Sequence, residues 1–527
     1  MHRRAFLQHA TAGMMGLWLA GLPTPRKPRY RRAGPLVMID LPGPSLDAHT
    51  RDLIRRHRIR AVVLLQRNLV DRAQAVQLIQ ELRRRMGAGA IIAIDQEGGS
   101  VVRTRDFPFP PSAMSLGASN DPNLAFQVGA ATGRALASLG VNWNFAPVLD
   151  VNSNPLNPVI SDRSFGADPV RVSRLGLAWA QGCMSAGVAA CVKHFPGHGD
   201  THEDSHLGLP TVDKPREHLD QTELAPFREA AQAGLPGFMT GHLVFPSLDP
   251  RWPATLSPPI LHDLLRTTWG FEGVVITDAM DMQAMTRNYG RAESTRRAIG
   301  AGADLVLAMG KPDEQDTTLR ALDEALRQGD IPSTRRGHSL DRLAHLTQRF
   351  PSQPHPYPED QQAADAALMR DAWWRGFTPY RHPQPPPRGS RVVLLAPDSP
   401  EGGGASDPTR AGLALRDLMQ SRYDLTPLLY SRTRPQDRLA AVQEIDRTTT
   451  SVVFASTGRL RPGEDLKALI AAARPDLHLA LWNPYAVLDV PAPALITYGL
   501  RPEALEGVGA WLDGTLVPGG EAPIPLE

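Results

Sequence analysis

The run Lys193-His194-Phe195-Pro196-Gly197-His198-Gly199-Asp200-Thr201-His202-Glu203-Asp204-Ser205-His206 brings one lysine, four histidines and three carboxylates into fourteen residues. It follows an apolar run, Val188-Ala189-Ala190-Cys191-Val192, that reads as a buried strand. Pro196, Gly197 and Gly199 oppose a regular helix, so the polar residues are expected in a loop leaving the strand's C-terminal end. Parallel α/β folds build their active sites at that end. Two chemistries fit the residue types. His198, His202 and His206 recur every four residues, the spacing of helix-borne zinc ligands, although the proline and glycines argue against the helix that would align them. In the other reading Asp204 serves His206 two residues on. A carboxylate there can accept one imidazole N–H, fix the tautomer and raise the pKa, as acid/base work requires.

Further chemical groups close other apolar runs. Residues 90–94 lead into Asp95-Gln96-Glu97-Gly98-Gly99, with Arg103 a few positions on. Residues 141–145 lead through Asp150 to Ser161-Asp162-Arg163-Ser164. His242 follows 237–240, and Asp278 and Asp281 follow 273–277. Any one of these could be a turn or a strand-end cap. Their repetition in one direction describes a site. The runs that carry them, with those at 36–39, 61–65, 189–192 and 303–308, are rich in Val, Ile, Leu and Ala, as strands buried on both faces should be. Helix-like segments such as 46–57, 72–86 and 169–186 lie between them. This alternation over residues 34–350 predicts a (β/α)8 TIM-like barrel. A doubly wound open sheet is the alternative, because periodicity alone does not show closure.

Lys-His-Phe-Pro-Gly-His-Gly-Asp-Thr from Lys193, followed by Asp-Ser-His and Leu209-Pro210, resembles the signature of the β-N-acetylglucosaminidases of glycoside hydrolase family 3. The resemblance implies a retaining hydrolase that uses no cofactor and no metal. Its carbohydrate substrate would be a terminal β-linked N-acetylglucosamine glycoside, from peptidoglycan fragments or chitin-type oligosaccharides. Asp278 would be the nucleophile, within Gly270-Phe271-Glu272-Gly273-Val274-Val275-Ile276-Thr277-Asp278, with Asp281 as the alternative. Many family members carry Ser-Asp-Asp there; Thr277-Asp278-Ala279 leaves a single carboxylate. His206 would be the acid/base and Asp204 its orienting partner. Asp95, Arg163, Lys193 and His194 match positions that grip the sugar, and Arg103 a position near it. His198 and Asp200 are expected to shape the loop, and Asp150 and His242 to support their neighbours. A glucosidase or xylosidase of the same family is one alternative, disfavoured because those branches usually take the acid/base from the second domain. A phosphorylase is another, since a neutral imidazole does not repel phosphate.

Lysine and arginine number 57 against 55 aspartates and glutamates, and a net charge of +2 implies no nucleic-acid or membrane-surface partner. Cys183 and Cys191, in apolar surroundings, are expected to be buried free thiols. Arg3-Arg4-Ala5-Phe6-Leu7 before a weakly apolar run at 10–22 resembles a twin-arginine export signal, with an ordinary secretory signal as the alternative. The run is too short and glycine-broken for a stable membrane anchor. Residues 1–33 are therefore read as export signal and basic leader, and the protein as periplasmic or extracellular. Residues 351–389 read as a proline-rich linker with a helix at 363–377. Residues 390–527 read as a smaller αβα sandwich domain with strands at 392–396, 452–455, 477–481 and 495–498. All expected catalytic groups precede residue 280, which leaves this domain outside the chemistry. If the histidines hold no metal, prolonged treatment with EDTA leaves turnover of an aryl N-acetyl-β-glucosaminide unchanged. Loss of activity that Zn²⁺ restores would establish the zinc reading instead.

Overall fold

The sheet closes on itself. Strands β1 (Val37–Asp40), β2 (Ala61–Leu64), β3 (Ile91–Ile94), β4 (Trp143–Asn144), β5 (Ala189–Phe195), β6 (Gly237–Thr240), β7 (Val274–Ala279) and β8 (Leu305–Ala308) pair in sequence order. β1 then pairs in parallel with β8, Val37 opposite Val306. The eight expected strands are present, and closure decides for the barrel over the open sheet. This computed structural model describes residues 32–527 except 105, 206, 207, 400, 404 and 405. The expected export signal, nearly all of the basic leader and His206 thus lie outside the described residues.

The side chains alternate with the two-residue period of a strand. Met38, Val63, Ala93, Cys191, Met239, Ile276 and Leu307 form one buried cluster inside the barrel. Val37, Val62, Ile92, Ala190, Phe238, Val275 and Val306 belong to the cluster under the helices. Gly237 makes room for the interior Trp143, since a Cβ there would lie 2.9 Å from its ring. Cys183 and Cys191 are buried free thiols, as expected. β5 departs from expectation by running on through Phe195. Its polar Lys193 and His194 are strand residues, buried because carboxylates from neighbouring segments neutralise or bond them.

The second sheet adds β9 (Thr378–Tyr380), β10 (Arg391–Pro397), β13 (Asp424–Tyr430), β14 (Thr450–Ser456), β15 (Leu477–Ala480) and β16 (Ala494–Ile496), in the order β13-β10-β14-β15-β16-β9. A separate hairpin pairs β11 (Glu401–Gly403) with β12 (Ser406–Thr409). The four expected strands form the centre of the six-stranded sheet. The two edge strands, β9 and β13, escaped the sequence reading for one reason. Each carries a proline, Pro379 or Pro427, which argues against a central strand but is tolerated at an edge where one row of N–H groups is unpaired. The helix Glu359–Arg375 joins the two parts. Arg134 of the barrel grips its Asp365 through two hydrogen bonds of 2.9 and 2.5 Å, while Trp373 Nε1 donates to Phe109 O and Trp374 Nε1 to Glu503 O. Among the described residues no helix is long and apolar enough to cross a membrane.

The N-terminal mouth of the barrel is held by Asp304, which is fully buried just before β8. Its carboxylate accepts from Arg266 Nη2 at 2.5 Å, Arg335 Nη1 at 3.1 Å, Arg342 Nη1 at 3.1 Å, Ser339 Oγ at 2.8 Å and the Val275 N–H at 3.0 Å. Burial would raise its pKa, but the three guanidinium groups outweigh burial and hold it below the usual carboxylate range. Removing one partner of such a buried cluster strands the others. Asp304→Ala is therefore expected to cost about 3–5 kcal/mol of stability, read by denaturant unfolding. The wild-type contribution is present above the unfolded-state pKa of about 3.9 and disappears as pH falls through the lower folded value. The gap between wild type and variant should narrow only in that acid window.

Candidate active site

Two-residue alternation carries three functional side chains to the barrel's C-terminal mouth. Ile91 and Ala93 face the interior of β3, and Asp95 continues that row. Lys193 continues Ala189 and Cys191 on β5, and Asp278 continues Val274 and Ile276 on β7. His194 breaks this pattern yet faces the same cavity, because the pairing of β5 with β6 shifts register between Val192 and Phe195. Asp95, Arg103, Arg163, Lys193, His194 and Asp278 all line one cavity of about 360 Å³.

Glu97 lies at the centre of the charge arrangement. Arg163 binds it through Nε and Nη2, each at 2.8 Å. Lys193 Nζ lies 2.6 Å from Glu97 Oε1 and 2.7 Å from Asp95 Oδ1. Burial alone would raise the Glu97 pKa; Arg163 and Lys193 reverse that and hold it well below the usual range. For both cations burial works to lower the pKa, while their carboxylate partners, Glu97 for Arg163 and Asp95 and Glu97 for Lys193, raise it. All three groups are therefore charged. Sequence reasoning quoted Glu97 but gave it no role. The available signal was electrostatic: two cations sent into a barrel mouth need a buried anion between them.

Arg163 also defines the state of His194. A guanidinium only donates, so His194 Nε2, 3.3 Å from Arg163 Nη2, accepts. The ring proton then sits on Nδ1, which donates to Asp150 Oδ2 at 2.7 Å. Asp150 is fully buried and also accepts the N–H groups of His194 and His198, at 3.1 and 2.7 Å. Burial raises its pKa, but His194 and His198 bring it below the usual value.

The loop after β5 is fastened from within. His198 bonds Thr201 Oγ1 through Nδ1 at 2.8 Å and Ser205 Oγ through Nε2 at 3.0 Å. Burial pushes the His198 pKa down to about 4, so the ring is neutral. Lys214 ties Asp200 to the buried Glu223 at 2.7 Å each. Both ring nitrogens of His198 are thus engaged by hydroxyl groups, and His202 lies against Asn154 Nδ2, 3.2 Å from its Nδ1. This arrangement is hydrogen bonding within a loop. Among the described residues no cluster of three or more His, Cys, Asp or Glu side chains is placed to hold a metal ion. Asp204 is buried outside the cavity lining, with its neighbour Ser205 in it.

Asp278 is aimed by its own strand end. The Ala279 N–H donates to Asp278 Oδ1 at 2.7 Å, and the Ala279 carbonyl lies 3.0 Å from His242 Nε2. His242 Nδ1 in turn lies 2.8 Å from Thr255 Oγ1. His242 thus contacts the carbonyl of the residue whose N–H meets the carboxylate. Asp281 also lines the cavity, but burial raises its pKa and the nearby Asp278 adds to the rise.

A parallel barrel whose strand ends surround a sugar-sized cavity with carboxylates, a neutral imidazole and paired cations is the architecture of a carbohydrate-cleaving enzyme. The glycosyl hydrolase family 3 N-terminal domain matches residues 31–346, and the chain belongs to that family. A β-hexosaminidase A from Pseudoalteromonas piscicida is 37% identical over 335 residues, covering 58% of this chain and 56% of its own length. The chain thus spans little more than half of that relative. A β-hexosaminidase from Thiobacillus denitrificans is 38% identical over 297 residues, 55% of this chain and 82% of its own. The solved structure of a family 3 β-N-acetylglucosaminidase from Paenibacillus sp. str. FPU-7 superposes with a TM-score of 0.86 at 33% identity, covering 94% of this chain and 98% of that one.

Glu97→Gln keeps the shape but leaves Arg163 and Lys193 facing each other with one anion fewer. Loss of charged hydrogen bonds of about 1.5–3 kcal/mol predicts a kcat/KM lower by about ten- to hundredfold, measured on an aryl N-acetyl-β-glucosaminide. An unchanged kcat/KM would show that Glu97 only fills space.

Proposed function

We propose that this family 3 β-hexosaminidase releases terminal β-linked N-acetylglucosamine, from peptidoglycan fragments or chitin-type oligosaccharides, through a covalent glycosyl intermediate on Asp278. One observation carries the reading. Asp278 lies at the end of β7 in the same cavity as Asp95, Arg163, Lys193 and His194, groups that offer charged and neutral hydrogen bonds to ring hydroxyls. The solved β-N-acetylglucosaminidase with the same two-part fold supports the choice of sugar. Met239, Met282, Met309 and Leu307 line the cavity as well and give an apolar seat suited to the acetamido methyl group.

In this mechanism the ionised Asp278 attacks the anomeric carbon while His206 protonates the departing oxygen. The imidazole then removes a proton from water, which displaces Asp278 and returns the β-anomer. Asp204 orients the imidazole and stabilises its charged form. Hydrogen bonds from Arg163 and Lys193 that strengthen as the ring flattens would lower the barrier rather than KM. We further propose that the protein is exported, on the strength of Arg3-Arg4-Ala5-Phe6-Leu7 and the short apolar run behind it.

Asp278→Asn is expected to lower turnover by at least about 10⁴-fold with the fold intact. His206→Ala should lose poor leaving groups most, and azide should restore its turnover of an activated aryl donor, because azide needs no base. Uniform loss across leaving groups, with no azide effect, would reject the acid/base assignment. Products analysed with and without phosphate distinguish hydrolysis from phosphorolysis.

A further inference from the structure

The second domain reaches the loop on which the proposed chemistry depends. Arg459, which follows β14, places Nη1 3.8 Å from Asp204 Oδ2. An exposed pair at this distance would contribute little. Here the Asp204 side chain is 8% exposed and Arg459 21%, so water screens the carboxylate weakly. The arginine is also not a stray surface group. Its carbonyl accepts from Asn483 Nδ2 at 2.8 Å, and Asn483 Oδ1 accepts the Tyr485 N–H at 2.9 Å. Tyr485 OH then meets Asn152 Nδ2 of the barrel at 3.1 Å, and Trp482 Nε1 donates to Asp162 Oδ1 at 2.8 Å, beside Arg163. The segment 482–485 therefore anchors the Arg459 loop to the same barrel loops that carry the sugar-binding groups.

We infer that Arg459 of the second domain is a positioning residue for hydrolysis, holding the Asp204 carboxylate in place for the imidazole two residues on. This rests on the Asp204–His206 reading above, and it moves the second domain from outside the chemistry, where the sequence left it, to its edge. From the other side the loop is held by His198 through Ser205, so the segment carrying Asp204 is gripped by both domains.

The test is a double-mutant cycle in the full-length protein. Arg459→Ala, Arg459→Lys, Asp204→Ala and the Arg459→Ala/Asp204→Ala double variant are compared on a phenyl and a 4-nitrophenyl N-acetyl-β-glucosaminide. Arg459→Ala should lower kcat on the phenyl donor by about tenfold, lower it much less on the nitrophenyl donor, and leave KM within about twofold. Arg459→Lys should recover part of the loss. The double variant should be no slower than Asp204→Ala alone, because Arg459 acts through that carboxylate. Additive losses, equal losses on both donors, or wild-type kinetics in Arg459→Ala would overturn the inference. If Arg459→Ala fails to fold, Arg459→Gln and Arg459→Lys carry the same comparison. A normal leaving-group response in Asp204→Ala would sink the acid/base reading and this inference together. A response in Asp204→Ala without one in Arg459→Ala sinks only the inference.

Discussion

The site depends on one electrostatic constraint: two cations, Arg163 and Lys193, are taken out of water at the barrel mouth, and Glu97 pairs with both. Burying two such cations is costly without anionic partners, and Asp95 is a second one for Lys193. Each then has directions left over. Lys193 turns one hydrogen bond to Asp95, and Arg163 turns one to His194 Nε2. That second bond selects the His194 tautomer, which sends its remaining proton to Asp150, and Asp150 also fixes the backbone of His198. A single buried carboxylate thus sets the orientation of side chains from β3, the loop after β4, and β5. The cavity presents groups already oriented before a sugar arrives, which is the condition for hydrogen bonds to favour the transition state.

The Asp278 side of the cavity is built differently. The Ala279 N–H donates to its carboxylate, and His242 lies against the Ala279 carbonyl. Arg163 and Lys193 are engaged by Glu97 and Asp95. Asp281 lines the same cavity, and burial with the neighbouring Asp278 pushes its pKa up.

The two domains meet where the loops are longest. The helix Glu359–Arg375 joins them through Trp373, while Trp482 and Tyr485 join them at Asp162 and Asn152, near the cavity-lining Arg163. The loop after the two-residue β4 is held both by barrel residues, through Asn157 and Ser164, and by Tyr485 and Trp482 of the second domain.

The sequence by itself determined the barrel's strands, because eight apolar runs between amphipathic stretches read as strands buried on both faces, while closure came only with the fold. It also pointed to strand-end groups that share one cavity, since Asp95, Lys193 and Asp278 sit two residues beyond interior positions. The charged network was less legible. Glu97 lies in the quoted motif, but its role depends on Arg163 and Lys193, 66 and 96 positions away, arriving at one point. Edge strands β9 and β13 were hidden by prolines whose cost vanishes only when no partner strand needs the missing N–H. The contact between Arg459 and Asp204 had no local signal at all. It exists because two domains pack, and packing is a property of surfaces that only the folded chain possesses.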